Sequence, residues 1–155
     1  MADAMGFAPD AEIRCRDFRI GCIGAGFIMA DVQLVAYEQA GFPVAAIASR
    51  SRGHAAEVAS KRKITKVHDT PQALIEDTDV EILDLAFPPD QQPALIRHAL
   101  KQRHIKAILA QKPLAMNFAD AQAVVADCRV AGKVLSVNQN MRFDQSMRVL
   151  RQILD

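Results

Sequence analysis

Short apolar runs alternate along this chain with longer stretches in which apolar residues recur at helical spacing. That alternation is typical of strand–helix units, which build a parallel sheet covered by helices on both faces. The apolar runs predict strands at about 19–23, 44–49, 81–86, 105–110 and 134–137, with a short strand around 66–68. We therefore expect an α/β fold with a doubly wound parallel sheet.

The amphipathic stretches predict helices between these strands and after the last one. Thr70 and Asn117 have polar side chains suited to capping the first free amides of a helix, and Gly132 is suited to ending one. Asp90 is expected to cap a helix that reaches Gln102. The other helices are expected at about 27–39, 53–61, 71–76, 118–131 and 145–154.

With 155 residues, half of them hydrophobic, the chain is long enough for one sizeable core and too short for two domains. We expect a flexible N-terminal tail at 1–18, where charged residues interrupt the apolar ones, and one domain at 19–155. The helix at 145–154 ends the sequence with an apolar face and no cap, so we expect a truncated chain. Such an uncovered face favours self-association into a homo-oligomer or local instability.

The chain has 19 basic and 18 acidic residues and no long run of either sign, which favours neither nucleic acid nor a membrane as a partner. No stretch resembles a signal peptide or approaches the ~20 apolar residues that span a bilayer, so we expect a cytoplasmic protein. Cys15, Cys22 and Cys128 are scattered and odd in number, which predicts free thiols. The histidines lack the spacing of metal ligands, and we expect no metal site.

A glycine turn follows the first predicted strand and opens the first predicted helix. Gly24 permits a tight turn, and Gly26 lets the backbone approach a pyrophosphate that the first helical amides attract. This is the dinucleotide fingerprint of a Rossmann-type fold. Met29 stands where glycine or alanine is usual, so the sequence does not decide whether the helix packs closely on the strand. A turn without a ligand is the alternative. The residues expected to contact the cofactor here are Gly24, Ala25, Gly26, Phe27 and Ile28.

The second predicted strand ends without the acidic residue that usually holds the ribose hydroxyls of NAD. Ser49 and Arg50 stand there instead, followed by Ser51 and Arg52, and they offer hydroxyl and guanidinium groups to a 2′-phosphate. NADP is therefore favoured over NAD. An arginine stacked on adenine would also serve NAD, and a solvated helix start is the remaining alternative.

Polar residues also follow the other predicted strands. Lys112 follows the strand at 105–110, near the nicotinamide end of a bound cofactor, where its ammonium could polarise a substrate oxygen. A solvated loop lysine is the alternative. Pro88 stiffens the turn after the strand at 81–86. Asn140 and Arg142 suit a hydroxylated ligand as well as they suit loop hydrogen bonds.

Taken in this order, the motifs resemble the nucleotide-binding domain of the glucose–fructose oxidoreductase, inositol dehydrogenase and rhizopine catabolism (Gfo/Idh/MocA) family over about 19–150. The resemblance is carried by the Gly24 turn, Ser49-Arg50, Pro88 and above all Lys112-Pro113. It implies a two-domain oxidoreductase, whose second α+β domain supplies substrate contacts and a proton-transferring histidine; we expect both to lie outside this sequence.

Three segments bear on how far the resemblance extends. Lys112 matches the lysine of the family's Glu-Lys-Pro motif, implied to touch substrate and cofactor and to be a catalytic residue, but Gln111 replaces the glutamate. In the family's Pro-Asn-x-x-His turn, Gln92 stands for the histidine, whose role is therefore not carried over. Asn140 and Arg142 resemble the segment leading to the second domain, facing the active-site cleft.

The residues and the resemblance together predict an enzyme, an NAD(P)-dependent oxidoreductase. It would transfer a hydride to or from a hydroxyl or carbonyl carbon of a small, carbohydrate-like substrate such as a sugar or polyol. This chain alone is expected to be inactive, because the proton-transferring residue is missing. The alternatives are a non-catalytic NAD(P)-binding module or truncated fragment that needs a partner chain, and an α/β domain that binds no nucleotide.

Overall fold

A computed structural model describes residues 13–154 of the chain. Most of the tail predicted at 1–18 therefore lies outside the described residues, and residues 13–19 contain no helix or strand. Among the described residues, no helix is long and apolar enough to cross a bilayer. Nor do those residues include a group of three or more His, Cys, Asp or Glu side chains that could hold a metal ion.

Six parallel strands form one sheet in the order β3-β2-β1-β4-β5-β6. The chain moves outward from β1 to β3, returns to the centre, and moves outward again from β4 to β6. This order, with helices on both faces, confirms the predicted doubly wound Rossmann-type sheet. The strands are β1 (Ile20–Ile23), β2 (Val44–Ala48), β3 (Lys66–His68), β4 (Ile82–Leu85), β5 (Ala107–Gln111) and β6 (Val134–Asn138).

The helices also follow the predicted order. Thr70 and Asn117 cap as predicted, since their side chains accept hydrogen bonds from the amides of Ala73 and Asp120 at 3.1 and 2.9 Å. A π-helical segment, Ile28–Gln33, precedes the first α-helix, and a 3-10 turn, Asn140–Phe143, precedes the last. The α-helices are α1 (Leu34–Ala40), α2 (Arg52–Arg62), α3 (Pro71–Glu76), α4 (Gln92–Leu100), α5 (Phe118–Val130) and α6 (Gln145–Leu154).

The prediction that Asp90 caps the fourth helix is wrong. Gln91 occupies the cap position of α4 and makes no side-chain capping bond. The amides of Gln91 and Gln92 both donate to the carbonyl of Pro88, at 3.0 and 3.1 Å, so a backbone turn organises the helix start. Proline in the first helical turn also removes one of the amides that a cap would bind.

Strand residues alternate between two hydrophobic clusters, one on each face of the sheet. Cys22 and Ile47 pack against α1 and α2, whereas Ile23 and Ala46 belong to the cluster that includes residues of α3, α4 and α5. Met29 is fully buried in the first cluster, so the helix after the glycine turn packs closely on the sheet. In α6, by contrast, no residue is buried, as expected for its apolar face.

A buried carboxylate ties the first helix to the middle of the sheet. Asp84 of β4 is fully buried, and its two oxygens accept from Gln33 Nε2 at 3.0 Å and from the Tyr37 hydroxyl at 2.7 Å. Burial raises the pKa of Asp84 to about 6, although both hydrogen bonds oppose the rise. Burial, and then the charge of Asp84, also raises the pKa of Tyr37 and of the Cys22 thiol.

We expect Asp84→Asn to change how stability depends on pH. The folded protein binds the Asp84 proton more tightly than the unfolded chain, so this group's contribution to stability is fully present below about pH 4 and is lost as pH rises through about 6. Relative to the variant, the wild type should lose up to about 3 kcal/mol over that interval. Urea unfolding of both proteins across the interval measures it; a difference that does not vary with pH would contradict the raised pKa.

Candidate functional site

A cleft of about 320 Å³ opens where the carboxyl ends of β1, β2 and β4 meet. This is the edge and the switch point at which doubly wound sheets bind ligands. Six of the residues predicted to contact a cofactor line it, together with Ala86 and Phe87. The six are Gly24, Ala25, Gly26, Ser49, Arg50 and Pro88.

Gly24 is wedged between two neighbouring strand ends. Its amide donates to the carbonyl of Ala48 at 2.8 Å, and the Ala86 amide donates to the carbonyl of Ile23 at 2.8 Å. Its φ of 118° lies in a region that side chains disfavour, and a Cβ here would meet the Ala86 carbonyl oxygen at 2.4 Å. Only glycine fits this turn.

Gly26 has different surroundings. A Cβ added to Gly26 would meet no atom within 4 Å, so its backbone faces open space. The first helical hydrogen bond runs from the Ala30 amide to the Gly26 carbonyl at 2.8 Å, which leaves the preceding amides without an acceptor in the helix. Phe27 and Ile28, predicted as contacts, are exposed beside this opening but do not line the cleft.

The two arginines after β2 have different partners. Arg50 is exposed, and its guanidinium carbon lies 5.8 Å from the centre of the Phe87 ring across the cleft. Arg52, at the start of α2, forms an ion pair with Asp69 instead. Ser51 caps α2 by accepting from the His54 amide at 3.3 Å. Arg50 is therefore the arginine that reaches the cleft.

Phe87 also lines the cleft, although it is not among the residues predicted from the sequence to contact a cofactor. It follows β4 after Ala86 and stands next to Pro88, and its position opposite Arg50 depends on the pairing of β1 with both β2 and β4. An aromatic residue at the carboxyl end of a central strand was the available signal.

Lys112 directly follows β5, at the same edge of the sheet but outside the lining of the cleft. It is exposed, and within residues 13–154 its ammonium has no hydrogen-bond or ion-pair partner. The Lys112–Pro113 peptide bond is cis. Beside it, Gln111 Nε2 is buried without a hydrogen-bond partner, so this part of the edge has an unsatisfied donor.

Asn140 and Arg142 lie further along the same edge. Both belong to the 3-10 turn after β6 and are exposed, and the Arg142 amide donates to the Gln139 carbonyl at 2.9 Å. β6 is three strands from β1, and neither side chain lines the cleft. The predicted contacts therefore form a compact group around the glycine turn and a separate row that begins at Lys112.

Residues 18–139 match the family model described as an oxidoreductase family with an NAD-binding Rossmann fold, GFO_IDH_MocA. The chain belongs to the Gfo/Idh/MocA family. This confirms the resemblance inferred from the Gly24 turn and the Lys112-Pro113 pair. It also places the cleft and Lys112 in the nucleotide-binding domain of an oxidoreductase family.

Curated relatives within the family include dehydrogenases of diols and polyols. Trans-1,2-dihydrobenzene-1,2-diol dehydrogenase of Mus musculus is 32% identical over 139 residues, which are 88% of this chain and 41% of the relative. Inositol 2-dehydrogenase 2 of Saccharopolyspora erythraea is 29% identical over 88% of this chain and 40% of its own length. The chain thus spans about two fifths of the length of these relatives.

Solved structures of similar proteins contain either nicotinamide cofactor. A 3-ketoreductase from Actinomadura kijaniata in complex with NADP and TDP-benzene has a TM-score of 0.77 and 30% identity, over 89% of this chain and 42% of its own. An oxidoreductase from Agrobacterium radiobacter in complex with NAD+, L-tartaric acid and magnesium has a TM-score of 0.81 and 26% identity, over 89% of this chain and 40% of its own.

Gly24→Ala should destabilise the fold as well as the site. The new methyl group would collide with the Ala86 backbone in a conformation that alanine disfavours, at a cost of about 2 kcal/mol or more. Thermal and urea unfolding measure the loss. Gly41→Ala is the matched control, because Gly41 also has a positive φ but a Cβ there meets nothing within 4 Å. Equal losses in the two variants would show that the contact with Ala86 adds nothing.

Proposed function

We propose that this domain binds NADP or NAD along the carboxyl edge of its sheet, in an enzyme that oxidises or reduces a carbohydrate-like substrate. The observation that carries the proposal is the cleft itself, where Gly24 closes the turn and Gly26 leaves its backbone open. The free amides before Ala30 supply hydrogen-bond donors and the positive end of the helix dipole to a pyrophosphate.

NADP is the favoured cofactor because of the groups at the end of β2. Ser49 and Arg50 line the cleft, whose lining contains no carboxylate to hold ribose hydroxyls or repel a 2′-phosphate. Within the described residues Arg50 forms no ion pair, so its guanidinium keeps its charge-assisted donors for a phosphate. The guanidinium of Arg52 already pairs with the Asp69 carboxylate, so fewer of its donors are available to a phosphate.

Lys112 is proposed as the residue that acts on the substrate. The nicotinamide supplies or accepts the hydride when the cofactor is bound. The ammonium of Lys112, exposed at the same edge, would donate a hydrogen bond to the substrate oxygen and stabilise negative charge developing there. Asn140 and Arg142 continue the row of polar groups and would contact substrate hydroxyls.

A non-catalytic NAD(P)-binding module is the second candidate. Gln111 favours it, because a neutral amide beside Lys112 supplies no charge to tune that lysine. The two candidates differ in turnover of the full-length protein. We expect the 155-residue chain by itself to bind cofactor without turnover, since the residue that would transfer the proton is expected outside it.

Arg50→Ala should weaken NADP binding by about tenfold or more and NAD binding much less, because it removes a charge-assisted contact to the 2′-phosphate. Arg52→Ala is the matched control and should leave both affinities near wild type, since Asp69 engages that arginine. Calorimetric titration at one ionic strength measures the six affinities, those of the wild type and of each variant for NADP and for NAD. Equal losses for both cofactors in Arg50→Ala would assign Arg50 to the adenine instead, and tighter NAD binding by the wild type would refute the preference.

Gly26→Ala should separate binding from stability. A Cβ at Gly26 meets nothing in the protein, so the unfolding free energy should stay at or slightly above that of the wild type. The same methyl group would occupy the space through which a pyrophosphate approaches the backbone, so the affinity for NADP and NAD should fall at least about tenfold. A variant that unfolds like the wild type and still binds like it would place the pyrophosphate elsewhere.

A further inference from the structure

Gln92 is one of few buried polar side chains among the described residues. Two others, Gln33 and Asp84, bond to each other and join the first helix to the sheet. Gln92 is fully buried at the first residue of α4, and its amide bonds only to backbone atoms of the segment at 111–113. Its bonding capacity is therefore directed entirely at the loop that contains Lys112.

The Gln92 amide acts on this loop as a peptide group of a neighbouring strand would. Its Oε1 accepts from the Gln111 amide at 2.9 Å, and its Nε2 donates to the Gln111 carbonyl at 3.0 Å. The same Nε2 donates to the Pro113 carbonyl at 2.9 Å. Gln92 thus holds the backbone on both sides of Lys112.

This hold matters because the Lys112 side chain has no polar contact of its own within the described residues. The Lys112 side chain is long, exposed and without a polar partner, so its reach is determined by where its backbone is fixed. The contact is buried, where hydrogen bonds are strong and unpaired groups are costly. A leucine at position 92 would leave two carbonyls and an amide of the loop without these partners.

We propose that Gln92 is a positioning residue, which fixes the backbone on both sides of Lys112 so that its ammonium reaches the nicotinamide end of NAD(P). The reach toward the cofactor rests on the proposed function, whereas the hold on the loop does not. The hold on the loop and the reach of Lys112 toward the cofactor are therefore measured separately, on the same set of variants of the 155-residue chain.

The hold on the loop is tested by hydrogen exchange with NMR detection. In Gln92→Leu the Gln111 amide should exchange at least about tenfold faster than in the wild type, because its acceptor is gone. The matched control is Lys133→Met, which removes two side-chain bonds to the Ala99 and Gln102 carbonyls at the other end of α4. Unchanged exchange in Gln92→Leu, or equal acceleration in Lys133→Met, would overturn the hold.

The action through Lys112 is tested by a double-mutant cycle on NADPH affinity, measured by calorimetry. Gln92→Leu and Lys112→Met should each weaken binding, by about fivefold, and the double variant should bind no more weakly than the weaker single variant. Lys133→Met should bind like the wild type. Additive losses, or no loss in either single variant, would overturn the positioning role.

Failure of the proposed function gives a different pattern. If the wild-type chain binds neither NADPH nor NADH, the cofactor assignment fails, and so does the proposal that Lys112 reaches the cofactor. Fast exchange of the Gln111 amide in Gln92→Leu would still support the proposal that Gln92 holds the loop. If the wild type binds NADPH and Gln92→Leu binds it equally well, the positioning role fails while the cofactor assignment stands.

Discussion

The lack of space around Gly24 is the constraint on which the candidate site depends. The turn after β1 passes so close to the Ala86 carbonyl that no side chain fits, and it is bonded to the end of β2 through Ala48. Since β1 pairs with both β2 and β4, the turn brings three strand ends together at one point of the edge. The cleft forms there because the backbone alone occupies its floor.

The anchoring of the first helix complements this constraint from inside the sheet. Asp84 sits in β4, one residue before the strand's end, and holds Gln33 and Tyr37 in the segment that follows the glycine turn. The same strand leads into Phe87, which faces Arg50. A central strand thus fixes the helix behind the turn as well as the ring that faces the cleft in front of it.

Much of the fold could be predicted from the sequence, because periodicity and capping act locally. The strand at 66–68 and the helices beginning after Thr70 and Asn117 depend on short-range patterns, and the structure contains them at those positions. Asp90 does not cap α4 because the Pro88 carbonyl accepts from the amides at the helix start. The proline in the first helical turn has no amide that would need a cap. The π-helical segment at Ile28–Gln33 had no local signature that distinguished it from an ordinary helix.

The candidate site could be predicted where a local turn requires glycine. It could not be predicted where a side chain meets a partner that follows a different strand. Gly24 and Gly26 follow from turn geometry, but Phe87 and Gln92 gain their neighbours only when β2, β1, β4 and β5 align. Gln92 recognises only main-chain atoms of the loop. The side chain at position 111 takes no part in that contact, so a change of that side chain leaves the loop's attachment to α4 intact. In this chain the side chain next to Lys112 and the side chain that holds the Lys112 backbone are therefore different, so the charge beside the lysine can be changed without moving the lysine.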